Sequence, residues 1–66
     1  MRILIVEDEI DLCDSIAEGL QIDGYAVDTC YDGTIAYELI TTETYDLVVL
    51  NLNLPGMDGM DVLSKV

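Results

Sequence analysis

The chain has 66 residues, of which 52% are hydrophobic, and its fourteen acidic and two basic residues give a formal net charge of −12. A chain this short forms at most one small unit, because domains usually have roughly 100–150 residues. The acidic balance argues against direct binding of nucleic acid by this segment, which requires a basic surface, and favours cations or basic protein surfaces as partners.

The cysteines and the first residues of the chain indicate its cellular location. Cys13 and Cys30 form no CxxC pair and the chain has no histidine, so we expect two reduced, buried thiols. The apolar run before Glu7 is too short for a signal peptide or a membrane span. We therefore expect a cytoplasmic protein with no membrane segment.

The first half of the chain predicts a strand, a helix and a second strand. Residues 2–6 are almost continuously apolar, which indicates a strand that is buried on both faces. Gly24 is predicted to cap a helix over residues 9–22. Residues 25–31 alternate and contain an acid, as is typical of an edge strand. The helix is indicated by apolar residues at three- and four-residue spacing, namely Leu12, Cys13, Ile16, Ala17 and Leu20.

The second half predicts another helix, a third strand and a last helix. Asp32-Gly33-Thr34 interrupts the pattern, and the third strand is predicted from about Asp46 to Leu50, with an apolar run that indicates burial on both faces. A helix is expected from about Asp58 to the end of the chain. The helix between Thr34 and the third strand, which ends near Thr42, has an apolar stripe of Ile35, Ala36, Leu39 and Ile40.

This alternation predicts a parallel α/β sheet with helical crossovers. The strand order 2-1-3 makes the second strand an edge, and right-handed crossovers then place the two helices on opposite faces. In a sheet of three strands the third strand is also an edge, although its sequence is apolar. An exposed apolar edge pairs readily with other strands. We therefore expect that the chain is cut short or that another chain covers this edge.

Polar residues follow the first and third strands. Glu7 and Asp8 come directly after the first strand, and Asn51 follows the third. Because the predicted order makes these strands neighbours, the three side chains are expected to meet at the carboxyl end of the sheet, where open α/β sheets bind ligands. This is the outline of a divalent-cation and phosphoryl-transfer site, with an amide where a third carboxylate would be expected.

These motifs strongly resemble the N-terminal half of a response-regulator receiver domain, the phospho-acceptor module of two-component signalling. The resemblance implies a truncated, CheY-like (flavodoxin-like) doubly wound parallel sheet over residues 1–66. The opening is most similar to receivers attached to winged-helix DNA-binding output domains, which implies transcription regulation by the parent protein. The resemblance is carried by residues 2–9, residues 24–27, Asp32-Gly33 and residues 50–59.

The resemblance also implies roles for individual residues. In the family, an aspartate at the position of Asn51 accepts a phosphoryl group from a sensor histidine kinase. Mg²⁺ is held there by Glu7, Asp8, that aspartate and the backbone carbonyl at the position of Asn53. An amide is an uncharged, poor nucleophile, so we expect no phosphorylation, no catalysis and weakened Mg²⁺ binding. The family's later switch residues and lysine are also missing, and Lys65 does not replace them.

Two other functions stay open. In the first, the apolar edge of the third strand pairs with a second copy, which predicts a homo-oligomer built from half-domains. In the second, the chain is a nucleotide- or flavin-binding half-domain of similar topology. The acidic first loop, residues 7–11, disfavours the second function because it lacks the glycines that cradle phosphate.

Overall fold

A computed structural model describes residues 1–51 of the chain. Three strands form one parallel sheet in the order β2-β1-β3, as predicted. The predicted helix from Asp58 and the backbone of Asn53 lie outside the described residues. The elements are β1 (Arg2–Val6), α1 (Ile10–Ile22), β2 (Ala26–Cys30), α2 (Gly33–Thr42) and β3 (Leu47–Leu50).

The central strand β1 supplies both hydrophobic cores. Leu4 and Val6 pack with Cys30 and Ala36, on the face that α2 covers. Because successive side chains of a strand point to opposite faces, the two isoleucines of β1 belong to the other core. Ile3 and Ile5 pack there with Cys13 and Ala17 of α1. The two helices therefore cover opposite faces of the sheet, as predicted.

Helix α1 ends at Ile22, and Gly24 then turns the chain into β2. Gly24 has a φ of 96°, a left-handed conformation that glycine adopts without strain. Its N–H donates to the carbonyl of Gln21 at 3.0 Å, and the N–H of Tyr25 donates to the carbonyl of Leu20 at 3.1 Å. This pair of bonds is the Schellman motif, and it confirms the predicted cap.

The predicted apolar stripes are wider than the surfaces that the helices bury. Leu12 and Ile16 on α1, and Ile35 on α2, are exposed rather than in the core. The positions that lie fully against the sheet hold small side chains, Cys13, Ala17 and Ala36. A sheet of three strands is narrow, so each helix buries only the middle of its apolar stripe among the described residues.

Strand β3 is not buried on both faces, and that prediction was wrong. Val48 and Leu50 pack against the core of Leu4 and Val6, whereas Leu47 is 47% exposed and Val49 40% exposed. The register places these two residues beside the isoleucines of β1, on the face of α1. Helix α1 packs over β2 and β1, so it leaves that face of β3 open among the described residues.

The cysteines lie where the sequence predicts. Cys13 and Cys30 are both buried and unpaired with one another, and burial raises the pKa of each thiol. Within residues 1–51, neither helix is long and apolar enough to span a bilayer.

Candidate functional site

The parallel strands deliver three polar residues to one edge of the sheet, here called the carboxyl edge: Glu7, Asp8 and Asn51. The backbone N–H of Asn51 donates to the carbonyl of Val6 at 2.9 Å, which aligns the residue after β3 with the residue after β1. The N–H of Glu7 donates to the carbonyl of Cys30 at 3.0 Å, at the end of β2. Backbone hydrogen bonds therefore hold the ends of all three strands together.

The side chain of Asn51 joins the two acids. Its Nδ2 donates to Oε1 of Glu7 at 2.9 Å and to Oδ1 of Asp8 at 3.1 Å. The structure thus brings together three of the four residues predicted for the site, and their role in binding a metal stays a prediction. The direction of the amide could not be predicted from the sequence, because its acceptors lie 44 and 43 positions away.

The carboxyl edge is also tied to the first turn of α1. Oε1 of Glu7 accepts a second hydrogen bond, from the N–H of Glu9 at 3.2 Å. Glu9 is the N-cap of α1 and its own side chain makes no capping bond, so the carboxylate of Glu7 satisfies one of the exposed donors at this helix end. A negative charge is also favoured here by the helix dipole.

The Asn51 amide affects the electrostatic repulsion between the carboxylates of Glu7 and Asp8. Two like charges about 4 Å apart repel by roughly 4 kcal/mol at an effective dielectric near 20. Each N–H of the Asn51 amide points to one carboxylate and offsets part of that repulsion. Within residues 1–51, no group of three acidic, histidine or cysteine side chains is arranged to hold a metal ion.

The arrangement does not fit a cation held by all three side chains. Mg²⁺ binds through oxygen atoms, and an amide N–H is a donor with no lone pair for a metal. Asn51 could present its Oδ1 to a cation only by turning the amide and giving up both hydrogen bonds. As they stand, only the carboxylates of Glu7 and Asp8 are suited to ligate a cation.

A second polar cluster, here called the amino-edge cluster, lies at the opposite end of the strands. Nη2 of Arg2 pairs with Oδ2 of Asp28 at 2.8 Å, and Nη1 lies 3.5 Å from Oε2 of Glu43. The hydroxyl of Tyr45 donates to the same Oδ2 of Asp28 at 2.7 Å. The Arg2 guanidinium also stacks over the ring of Tyr45, 4.7 Å from its centroid.

These contacts shift pKa values within the amino-edge cluster, and the hydrogen bond to Asp28 raises the pKa of Arg2. The hydroxyl of Tyr45 and the guanidinium of Arg2 hold the pKa of Asp28 below its ordinary value. Burial and the hydrogen bond to Asp28 raise the pKa of Tyr45 to about 12. The only sequence signal for this cluster was that Arg2 is the one basic residue before Lys65.

Residues 3–66 match the family model of the response regulator receiver domain. The transcriptional regulatory protein CutR of Streptomyces coelicolor is 48% identical over 66 residues, which are all of this chain and 30% of CutR. The transcriptional regulatory protein QseB of Escherichia coli O157:H7 is 44% identical over 65 residues, 98% of this chain and 30% of QseB. The chain thus spans about 30% of the length of these relatives.

Solved receiver structures share the fold. A CheY-like receiver domain from Methanospirillum hungatei is 33% identical with a TM-score of 0.92, over 97% of this chain and 51% of that chain. Response regulator TrrA from Thermotoga maritima, solved in complex with Mg²⁺-BeF, is 38% identical with a TM-score of 0.89, over 97% of this chain and 56% of TrrA. TrrA was also solved with the histidine kinase ThkA; its TM-score there is 0.87, over 97% of this chain and 55% of that chain.

The strand order, the helices on both faces and these similarities agree with the flavodoxin-like fold that the sequence predicts. Because the family model covers nearly the whole chain, from residue 3 to residue 66, this protein belongs to the response regulator receiver domain family.

Proposed function

We propose that this chain acts in two-component signalling as a receiver unit that takes no phosphoryl group at position 51. The observation that carries the proposal is the amide of Asn51, which stands between Glu7 and Asp8 and donates to both. Attack on phosphorus needs a nucleophilic oxygen with a negative charge to share, and an amide has none. Residues 1–66 act as one unit in this proposal.

The partners follow from the same proposal. A sensor histidine kinase is the docking partner, a proposal supported by the complex of TrrA with ThkA. The relatives CutR and QseB are transcriptional regulators, so the parent protein regulates transcription in the cytoplasm through a DNA-binding domain. The acidic segment described here does not itself contact DNA, because its charge of −12 repels phosphates.

Phosphorylation is tested with acetyl phosphate and Mg²⁺, followed by mass spectrometry and peptide mapping. The wild-type chain should gain no phosphoryl group. Asn51→Asp restores the carboxylate, and any adduct that this variant gains should map to position 51. Gln21→Glu is the matched control, because it makes the same amide-to-carboxylate change at an exposed position of α1 and should gain nothing. A wild-type adduct at the carboxyl edge would contradict the proposal.

A second candidate function is self-association through β3. It is favoured by the exposure of Leu47 and Val49 on an edge strand of the described sheet. Copies that each carry a charge of −12 repel one another. Association should therefore strengthen with salt, as the Debye length falls from about 10 Å at 0.1 M to about 3 Å at 1 M.

Sedimentation equilibrium over a wide concentration range tests this candidate. The expected result is a dimer whose dissociation constant falls at high salt. Val49→Lys places a charge on the proposed interface and should abolish the dimer. Ile22→Lys makes the same kind of change on α1, at a side chain that is 78% exposed, and should leave the dimer intact. A monomer at every concentration would exclude this function.

A further inference from the structure

We propose that the Asn51 amide takes the place of the divalent cation at the carboxyl edge, so that Glu7, Asp8 and the start of α1 keep their arrangement without Mg²⁺. This inference rests on the proposed function in one respect, that position 51 is the acceptor position of the family. It concerns the metal dependence of the site, whereas the proposed function concerns transfer of a phosphoryl group.

Positive charge is scarce in the described part of the chain. Among residues 1–51, Arg2 is the only Lys or Arg, and its guanidinium is bound to Asp28 and Glu43 at the opposite end of the sheet. No basic side chain of the described residues therefore balances the carboxylates of Glu7 and Asp8. In a receiver with a third carboxylate, a cation would have to supply that balance.

The amide of Asn51 has a geometry that suits both carboxylates. An NH₂ group has two donors, and the Nδ2 of Asn51 lies 2.9 Å from Glu7 and 3.1 Å from Asp8. Each donor is thus directed at one carboxylate. A single neutral group bridges both acids, as a bound cation would, and it is attached to the end of β3 by the chain itself.

The amide and a cation exclude each other. A cation between Glu7 and Asp8 would lie against the N–H groups of Asn51, whose partial positive charge repels it. Binding would then require both hydrogen bonds to break. The wild-type site is therefore preorganised in the absence of metal and has a reduced affinity for it.

The arrangement extends beyond the three side chains. Oε1 of Glu7 accepts from Asn51 and also from the N–H of Glu9 at the start of α1. The amide thus connects the end of β3 to the first turn of α1 through one carboxylate oxygen. In this chain that connection persists whether Mg²⁺ is present or removed by a chelator.

Thermal unfolding in EDTA and in millimolar Mg²⁺ tests the inference. The wild-type midpoint should be the same in both buffers. Asn51→Asp should unfold at a lower temperature in EDTA, since three carboxylates then meet, and Mg²⁺ should raise its midpoint. Gln21→Glu should behave as the wild type does. Equal Mg²⁺ stabilisation of wild type and Asn51→Asp would overturn the inference.

Two further measurements keep the test decisive if Asn51→Asp folds poorly. In the wild type alone, hydrogen exchange at the backbone amides of Glu9 and Asn51 should not change with Mg²⁺, and a Mg²⁺-dependent change would overturn the inference. By calorimetry, Asn51→Asp should bind Mg²⁺ at least about tenfold more tightly, because affinity follows the charge of the ligand set. A phosphoryl adduct on the wild type would contradict only the proposed function, since none of these readouts involves phosphate.

Discussion

Each end of the sheet holds two acidic side chains close together, and the group that contacts them differs between the ends. At the amino-edge cluster, Asp28 and Glu43 are paired with the guanidinium of Arg2. At the carboxyl edge, Glu7 and Asp8 are held by the neutral amide of Asn51. One guanidinium thus offsets part of the charge of two acids at the amino-edge cluster, whereas a neutral amide leaves the full charge of the two acids at the carboxyl edge.

Neither end supplies most of the stability. The side chains of Arg2 and Asp28 are 39% and 43% exposed, and an ion pair this exposed is screened by water and salt. The apolar residues of β1 lie between the two ends and are fully buried. The polar clusters therefore fix the positions of the strand ends on a core that β1 holds together.

The largest loss of stability is expected from Leu4→Ala, which disrupts the hydrophobic core between the two ends of the sheet. Leu4 is 0% exposed, and truncation of such a side chain costs about 2–5 kcal/mol. Urea unfolding should show a loss of this size, with both ends losing hydrogen-exchange protection together. Ile22→Ala, at an exposed side chain, should change stability by less than about 0.5 kcal/mol. Equal losses in the two variants would contradict a shared core.

Arg2→Met should weaken the amino-edge cluster and leave the carboxyl edge unchanged. The change keeps an apolar stem but leaves Asp28 and Glu43 without the guanidinium that pairs with them, so the thermal midpoint should fall, and fall less in high salt. Hydrogen exchange should accelerate at the backbone amide of Asp46, which donates to the carbonyl of Arg2 at 2.8 Å. The amide of Asn51 should be unaffected. The thermal midpoint of Arg2→Lys should lie between those of wild type and Arg2→Met. Equal acceleration of hydrogen exchange at Asp46 and at Asn51 would show that the two ends of the sheet are not independent.

Asp32→Ala should show that an acid near the carboxyl edge can have a purely structural role. Asp32 is the N-cap of α2, and its Oδ1 accepts from the N–H groups of Thr34 at 2.7 Å and Ile35 at 3.3 Å. Loss of such a cap costs about 1 kcal/mol, measurable by urea unfolding, and Mg²⁺ should still have no effect. Asp23→Ala is the control, because an acid at a helix C-terminus is unfavourable; an equal loss there would contradict the capping role.

The smallest effect at neutral pH is expected from Tyr45→Phe, which matters at the extremes of pH. The pKa of Tyr45 is raised to about 12, so its contribution is complete below about pH 10 and is lost as the pH rises through about 12. The pKa of Asp28 is lowered, so its contribution is present above about pH 4 and is lost on further acidification.

Thermal midpoints across both pH ranges should therefore show a smaller alkaline loss and a smaller acid loss in Tyr45→Phe than in wild type. Tyr25→Phe, at an exposed tyrosine, should follow the wild-type curve. Unchanged curves in Tyr45→Phe would show that the hydrogen bond to Asp28 contributes nothing to stability.

The sequence was sufficient for the element order of residues 1–51 because the relevant patterns are local. The apolar run of β1, the helical spacing of α1 and the glycine at position 24 each act within a few residues. The strand order could be predicted because the first strand is apolar throughout, as a central strand is, whereas the second contains an acid, as an edge strand often does. The exposure of Leu47 and Ile16 could not be predicted, since it depends on how wide the sheet is and how far each helix extends over it.

The candidate site was predictable only in part. Strand order brings Glu7, Asp8 and Asn51 to one edge, and this needs no knowledge of side-chain geometry. The direction of the amide and the bonds of Arg2 depend on groups from distant parts of the chain that meet only after folding. Long-range polar contacts of this kind leave no periodic signal in the sequence.

The register of β1 with β3 has a consequence for synthesis. Ile3 pairs with Leu47, 44 positions later. At ~5–20 residues per second on the ribosome, the central strand waits roughly 2 to 9 s for its second neighbour. During that interval one edge of the most deeply buried strand is open to pairing with other strands.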